Sequence, residues 1–167
     1  MNSECLDPIM QFYDHTLSSY DVLYTNIISR QIPAHQIPPA FIGITPSSLN
    51  RIMQELAKEL NREVVLTTVA ITENEIRLHY EGLGKKRIRE FRILFRKYRN
   101  RARLEDILDE WKDLLPAPRV VSEFKQVLNH RHWLAHGRPA KRRPTEFTPS
   151  EADLRARSLL RAIESYL

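Results

Sequence analysis

The chain has 167 residues, 42% hydrophobic and 28% charged, with 4 Gly, a single cysteine (Cys5) and a formal net charge of +5. This length suits one domain, 1–167, able to bury a proper core, and the composition excludes a disordered chain or a disulfide-stapled one. No apolar run approaches the roughly 20 residues of a membrane span, and Glu4 and Asp7 interrupt the region a signal peptide would need. The expectation is a cytoplasmic protein without membrane contact, its lone thiol suited to a reducing compartment.

Asp7-Pro8 reads as an N-cap followed by proline at the first helical position. From Ile9, the residues Phe12, Tyr13, Leu17, Tyr20, Leu23, Tyr24, Ile27 and Ile28 recur at helical spacing, and Pro33 closes this first helix. Residues 33–46 carry Pro33, Pro38, Pro39 and Pro46 with Ile37, Phe41 and Ile44 between them, a proline-rich but packed loop. Thr45-Pro46 repeats the cap-and-proline start.

From Ser47 to about Tyr80 there is neither Pro nor Gly, and Leu49, Ile52, Met53, Leu56, Leu60, Val64, Leu66, Val69, Ile76 and Tyr80 support one long helix or two with a bend. The β-branched run REVVLTTVAIT, residues 62–72, would read as a strand in isolation. Its flanks are helical and lack turn residues, so a buried helical segment is predicted, ending at Gly82 and Gly84.

Between Lys85 and Arg103 ten Lys or Arg stand against the single acid Glu90, a net of +9 that leaves −4 for the remainder of the chain. Ile88, Phe91, Phe95, Tyr98 and Ala102 form an apolar line at helical steps, and Arg89, Arg92, Arg96, Arg99 and Arg103 follow one position later. One helix over 85–103 is therefore predicted, docked by one face with an arginine ladder beside it and Tyr98 packed into the core rather than free to stack on a base. Leu104 to Leu115 reads as a short amphipathic helix stopped by Pro116 and Pro118. A central helix follows over about 119–136, then a basic loop, 137–147. Thr148-Pro149-Ser150-Glu151 is a capping box, worth about 1 kcal/mol to initiation of the last helix. The architecture predicted is all-α, about six helices.

The central helix holds an anomaly. At 100° per residue, Val120, Phe124, Val127, Leu128 and Ala135 share an apolar face, and Arg131 falls in its middle. An unpaired guanidinium in a packed core costs several kcal/mol, so Arg131 must meet a carboxylate, a subunit cleft or an anionic ligand. His136 follows five residues on, then Gly137, suited to the left-handed turn that ends a helix. A permanent cation and a titratable imidazole at one helix end suit phosphate chemistry.

At NHRHWLAHGR, residues 129–138, the sequence resembles the HEPN superfamily (higher eukaryotes and prokaryotes nucleotide-binding), whose ribonucleases carry an Arg, four to six residues, then a His. A polar residue commonly follows the Arg. The matching positions are Arg131, His132 and His136. Over about residues 50–140, the succession LHYEGL, FRILFRKYRN, LEDILDEWKDLL and RHWLAHGR is similar to the small bacterial proteins grouped as RiboL-PSP-HEPN. The resemblance implies a symmetric homodimer whose motif helices face one another, and RNA cleavage with no cofactor or metal. It assigns catalysis to Arg131 and His136 with His132 supporting, and implies a toxin of a toxin–antitoxin or phage-defence system with an antitoxin protein as partner. Arg92, Arg96, Arg99, Arg103 and Arg138 are candidates for holding the RNA backbone. In a dimer, Arg131 would face the cleft, with His132 and His136 at its border. Two departures are visible: Arg138 stands where some relatives carry a Tyr modified by a partner nucleotidyltransferase, and Pro139 where an aromatic is common.

Blander readings of the same residues stand beside this one. Arg131 would be a structural cation if it paired with Glu73 or Glu75, and His136 would be a cap on the helix C-terminus. His132 and His136, with His130 nearby, have zinc-compatible spacing but neither a neighbouring Cys nor an HExxH glutamate. The alternative functions are a non-catalytic RNA- or nucleotide-binding helical module and a protein-interaction subunit partnering a nucleotidyltransferase.

Overall fold

The computed structural model describes residues 3–86, 89–136 and 144–167. Among these the chain is helical without a strand: α1 (Asp7–Ile28), α2 (Pro46–Lys86), α3 (Arg89–Tyr98), α4 (Leu104–Leu114), α5 (Arg119–His136) and α6 (Pro149–Tyr166). Short 3-10 turns lie at Ser3–Leu6, Ala34–Gln36, Pro39–Phe41 and Arg99–Arg101. The all-α expectation holds, and among the described residues no helix is long and apolar enough to cross a membrane.

Helix α2 is continuous over 41 residues, about 60 Å at 1.5 Å per residue. Its β-branched middle is helical because Val64, Val65, Thr68, Val69, Thr72 and Ile76 are all buried among several neighbours. A helix satisfies its own backbone while presenting apolar atoms in every direction; a strand would need a sheet partner. The Thr72 hydroxyl donates to the Thr68 carbonyl at 2.7 Å, which satisfies a buried oxygen within the helix. The expectation that Gly82 and Gly84 end this element is wrong, since α2 runs through both to Lys86. Gly82 does not take the left-handed backbone of a helix stop, and buried Tyr80 just before it anchors the helix to the core.

Two further boundaries differ from the sequence reading. Asp7 is the first residue of α1 rather than its cap: Leu6 precedes it in helical backbone, and the Asp7 carboxylate accepts from Arg157 Nη1 at 2.6 Å. The predicted helix over 85–103 is the shorter α3, followed by the 3-10 turn and an extended Ala102; residues 87 and 88 lie outside the described residues. Helices α4 and α5 match their predicted spans closely. The capping box of α6 is formed, with Thr148 Oγ1 accepting from Glu151 N at 3.3 Å and Glu151 Oε2 accepting from Thr148 N at 2.8 Å.

The main core joins α2 to α6 through Val69, Ile76, Tyr80, Phe91, Ile107, Trp111, Phe124, Leu159 and Ile163, with Leu6 added from the N-terminal turn. Phe91 and Trp111 pack with ring centroids 4.7 Å apart, and Tyr80 meets Phe91 and Phe95 edge-on. Helix α1 differs from the rest: none of its 22 residues is buried. It forms a hairpin with the first half of α2, where Tyr13 donates to Asn61 Oδ1 at 2.9 Å over a seam of Leu49, Met53, Leu60 and Val64. Its N-terminus is pinned by Arg157 of α6, which donates to Asp7, to both Asp153 oxygens and to the Ser3 carbonyl.

Two substitutions test this account. Gly82→Ala fills open space in a helical position and is expected to raise the unfolding free energy by about 0.5–1 kcal/mol in denaturant titration. Arg157→Ala leaves two carboxylates and a carbonyl without their donor and is expected to lower it by about 2–3 kcal/mol.

Candidate functional site

Helix α5 enters the core with Val121, Phe124, Val127 and Leu128 buried, then runs toward the surface: Arg131 is half-buried, and Ala135 and His136 are exposed. The apolar stripe thus surfaces at its C-terminal end, where Arg131 lies. Glu73 does not pair with Arg131; its Oε1 is held by Arg77 at 2.8 Å. Among the described residues Arg131 makes no ion pair, and its Nη1 faces His132 Nδ1 at 3.5 Å. The other edge of that ring, Nε2, lies 3.6 Å from Glu105 Oε1 in the first turn of α4. The His132 and His136 rings stack nearly parallel, 13° apart in plane with centroids at 6.3 Å.

This arrangement sorts the imidazoles by role. A guanidinium only donates, so a hydrogen bond from Arg131 uses the tautomer of His132 that leaves Nδ1 as acceptor and turns Nε2–H toward the Glu105 carboxylate. His132 thus lies between Arg131 and Glu105. His136, on the same face, makes no hydrogen bond among the described residues and retains a lone pair for a ligand. Glu105 had no signal in the sequence, because only the packing of α4 on α5 brings it beside His132.

His130, which the sequence offers only beside a zinc-compatible histidine pair, takes a structural position. It is buried, and its Nδ1 accepts from Phe147 N at 3.2 Å, which ties the chain before α6 back onto α5. Its ring stacks on Trp133 with centroids at 6.3 Å, and both line a cleft with Leu134, Phe147, Lys58 and Arg62. His130 is thus committed to packing, on a different flank of α5 from His132 and His136. Among the described residues no group of three His, Cys, Asp or Glu could hold a metal.

The arginine candidates separate. Arg92 and Arg96 are exposed on α3, Arg99 lies in the 3-10 turn, Arg103 precedes α4, and Arg138 lies outside the described residues, as do Gly137 and Pro139. A single helical ladder is not formed, for a specific reason. The buried Tyr80 donates its hydroxyl to the Arg99 carbonyl at 3.2 Å, and Arg77 Nη1 donates to the Ala102 carbonyl at 2.9 Å. Arg99 takes φ +47°, a left-handed backbone that costs a bulky residue about 1 kcal/mol or more. Tyr98, predicted to pack inward, is 38% exposed. The basic segment nevertheless leads to the motif: Arg103 stands two residues before Glu105, which faces His132.

No family model matches this sequence, and no curated protein and no solved structure matches it either.

Replacing His130 with Ala removes a buried ring and leaves the Phe147 amide without its acceptor. The expected loss of stability is about 2–3 kcal/mol in denaturant titration, with the remaining helices intact by circular dichroism.

Proposed function

We propose that this chain is a metal-independent endoribonuclease of HEPN type that works as a homodimer. The observation that carries the reading is Arg131: a half-buried guanidinium where an apolar stripe surfaces, without a carboxylate partner among the described residues, and grouped with His132 and His136. A second copy of α5 laid across that stripe would cover Ala135 and enclose two such groups in one polar cleft. The motif RHWLAHGR and the order of helices around it support the same reading.

In this mechanism neutral His136 takes the proton of a ribose 2′-hydroxyl, and the oxygen attacks the adjacent phosphorus. The bond to the 5′-oxygen breaks, that oxygen takes a proton from solvent while His136 returns its own to solvent, and the products end in a 2′,3′-cyclic phosphate and a 5′-hydroxyl. Arg131, cationic at any working pH, stabilises the added negative charge of the phosphorane, the role a metal ion would otherwise take. His132, held between Arg131 and Glu105, keeps the guanidinium aimed. The exposed arginines of α3 and the following turn would bind the RNA backbone. A cytoplasmic toxin controlled by an antitoxin protein is the biological setting that fits this chemistry and the lone Cys5.

The test is cleavage of a mixed RNA pool in excess chelator. Wild type is expected to give cyclic-phosphate ends, and Arg131→Ala or His136→Ala to lose about 10²-fold or more in rate while remaining folded. Retained cleavage in both variants would sink the assignment; RNA binding without any cleavage would make the chain a binding module, and neither activity would make it a protein-interaction subunit.

A further inference from the structure

The turn between α3 and α4 encloses a cleft of about 520 Å³, lined by Arg96, Lys97, Tyr98, Arg99 and Arg101. Four of these five side chains are cationic, all five are exposed, and among the described residues none of the four makes an ion pair. Tyr98, and more weakly Asp106, favours the charged form of Lys97. Lys97 Nζ lies 4.8 Å from the centre of the Tyr98 ring, over one face of it, and the ring is exposed beside the arginines.

This concentration of charge is built by the fold. A regular helix would spread these residues round its circumference. Here buried Tyr80 and half-buried Arg77 capture the Arg99 and Ala102 carbonyls, and the left-handed backbone of Arg99 folds the segment around one cleft. Four like charges gathered at a strained residue repel one another, and a ligand bearing several negative charges relieves that repulsion. An aromatic side chain among cations adds a second requirement, a flat π-surface on the ligand.

We propose that this turn is a subsite for single-stranded RNA, in which one base stacks on Tyr98 while consecutive phosphates lie against Arg96, Arg99 and Arg101. Duplex RNA is disfavoured, because its bases are stacked internally and its deep groove does not admit side chains. From the turn the strand continues past Arg103 toward Glu105 and His132, so the subsite would set the register of the RNA on the motif. The inference rests on the RNA-binding half of the proposed function and is independent of its cleavage chemistry.

The experiment measures binding of the full chain to a fluorescent 2′-O-methyl oligouridine ten-mer, which lacks the 2′-hydroxyl nucleophile and so cannot be cut. Arg99→Gly is the informative variant: glycine accepts the left-handed backbone, so the turn survives while one cation is lost. The slope of log affinity against log salt is expected to become shallower by about 0.7 for that lost contact. Tyr98→Ala is expected to weaken binding about tenfold at an unchanged slope. Inorganic polyphosphate of matching charge is expected to compete less well than the RNA, having no base to stack. The proposal is overturned if wild type does not bind the oligomer, if both variants bind as wild type does, or if polyphosphate competes equally and Tyr98→Ala is silent. If binding depends on the turn yet wild type leaves cleavable RNA intact, the nuclease reading fails and the subsite stands.

Discussion

Between Val64 and Tyr80 helix α2 presents buried side chains to its neighbours, and α1, α3, α5 and α6 each take their position from contact with it. A helix enclosed in this way is insensitive to the weak helix propensity of Val, Thr and Ile, because burial of those side chains outweighs it. The same continuity places Arg77 and Tyr80 beneath the α3–α4 connection. Their hydrogen bonds to the Arg99 and Ala102 carbonyls determine where α3 stops and where α4 begins. The start of α4 in turn sets Glu105 against His132. The candidate site is thus linked to α2 through a succession of contacts, although α2 supplies none of its residues.

Helical periodicity, proline and the Thr148 capping box were enough to read the elements, because each is a local property of the chain. What failed was equally local in form but decided by packing. Gly82 and Gly84 have the composition of a helix stop, yet a stop also needs the left-handed backbone, and Gly82 does not adopt it. Arg99 shows the converse: no helix-breaking residue marks the end of α3, and a tyrosine hydroxyl 19 residues earlier in the chain helps to set it. Asp7 reads as a cap, but Arg157, 150 residues away, claims its carboxylate.

The site itself was partly legible. Arg131 was conspicuous because a charge interrupts an apolar period, and His132 and His136 followed from their spacing along one helix. Glu105 and the burial of His130 depend on which faces of α4, α5 and the segment before α6 come together, and periodicity carries no such information. Tyr98 reads as core because it continues the spacing of Phe91 and Phe95. The helix ends at that residue, and the change of direction leaves its ring outside.

The contrast between α1, with no buried residue, and α6, with six, divides the molecule into two tiers of protection. Backbone amides in α6 are expected to exchange with solvent only when the core opens, and those of α1 through a partial opening that leaves the core intact. Arg157 fastens the N-terminal end of α1, so such an opening would have to break those hydrogen bonds to free that end. Detaching α1 would lay bare Leu49, Met53, Leu60 and Val64 along α2, an adhesive strip that the packed arm keeps covered.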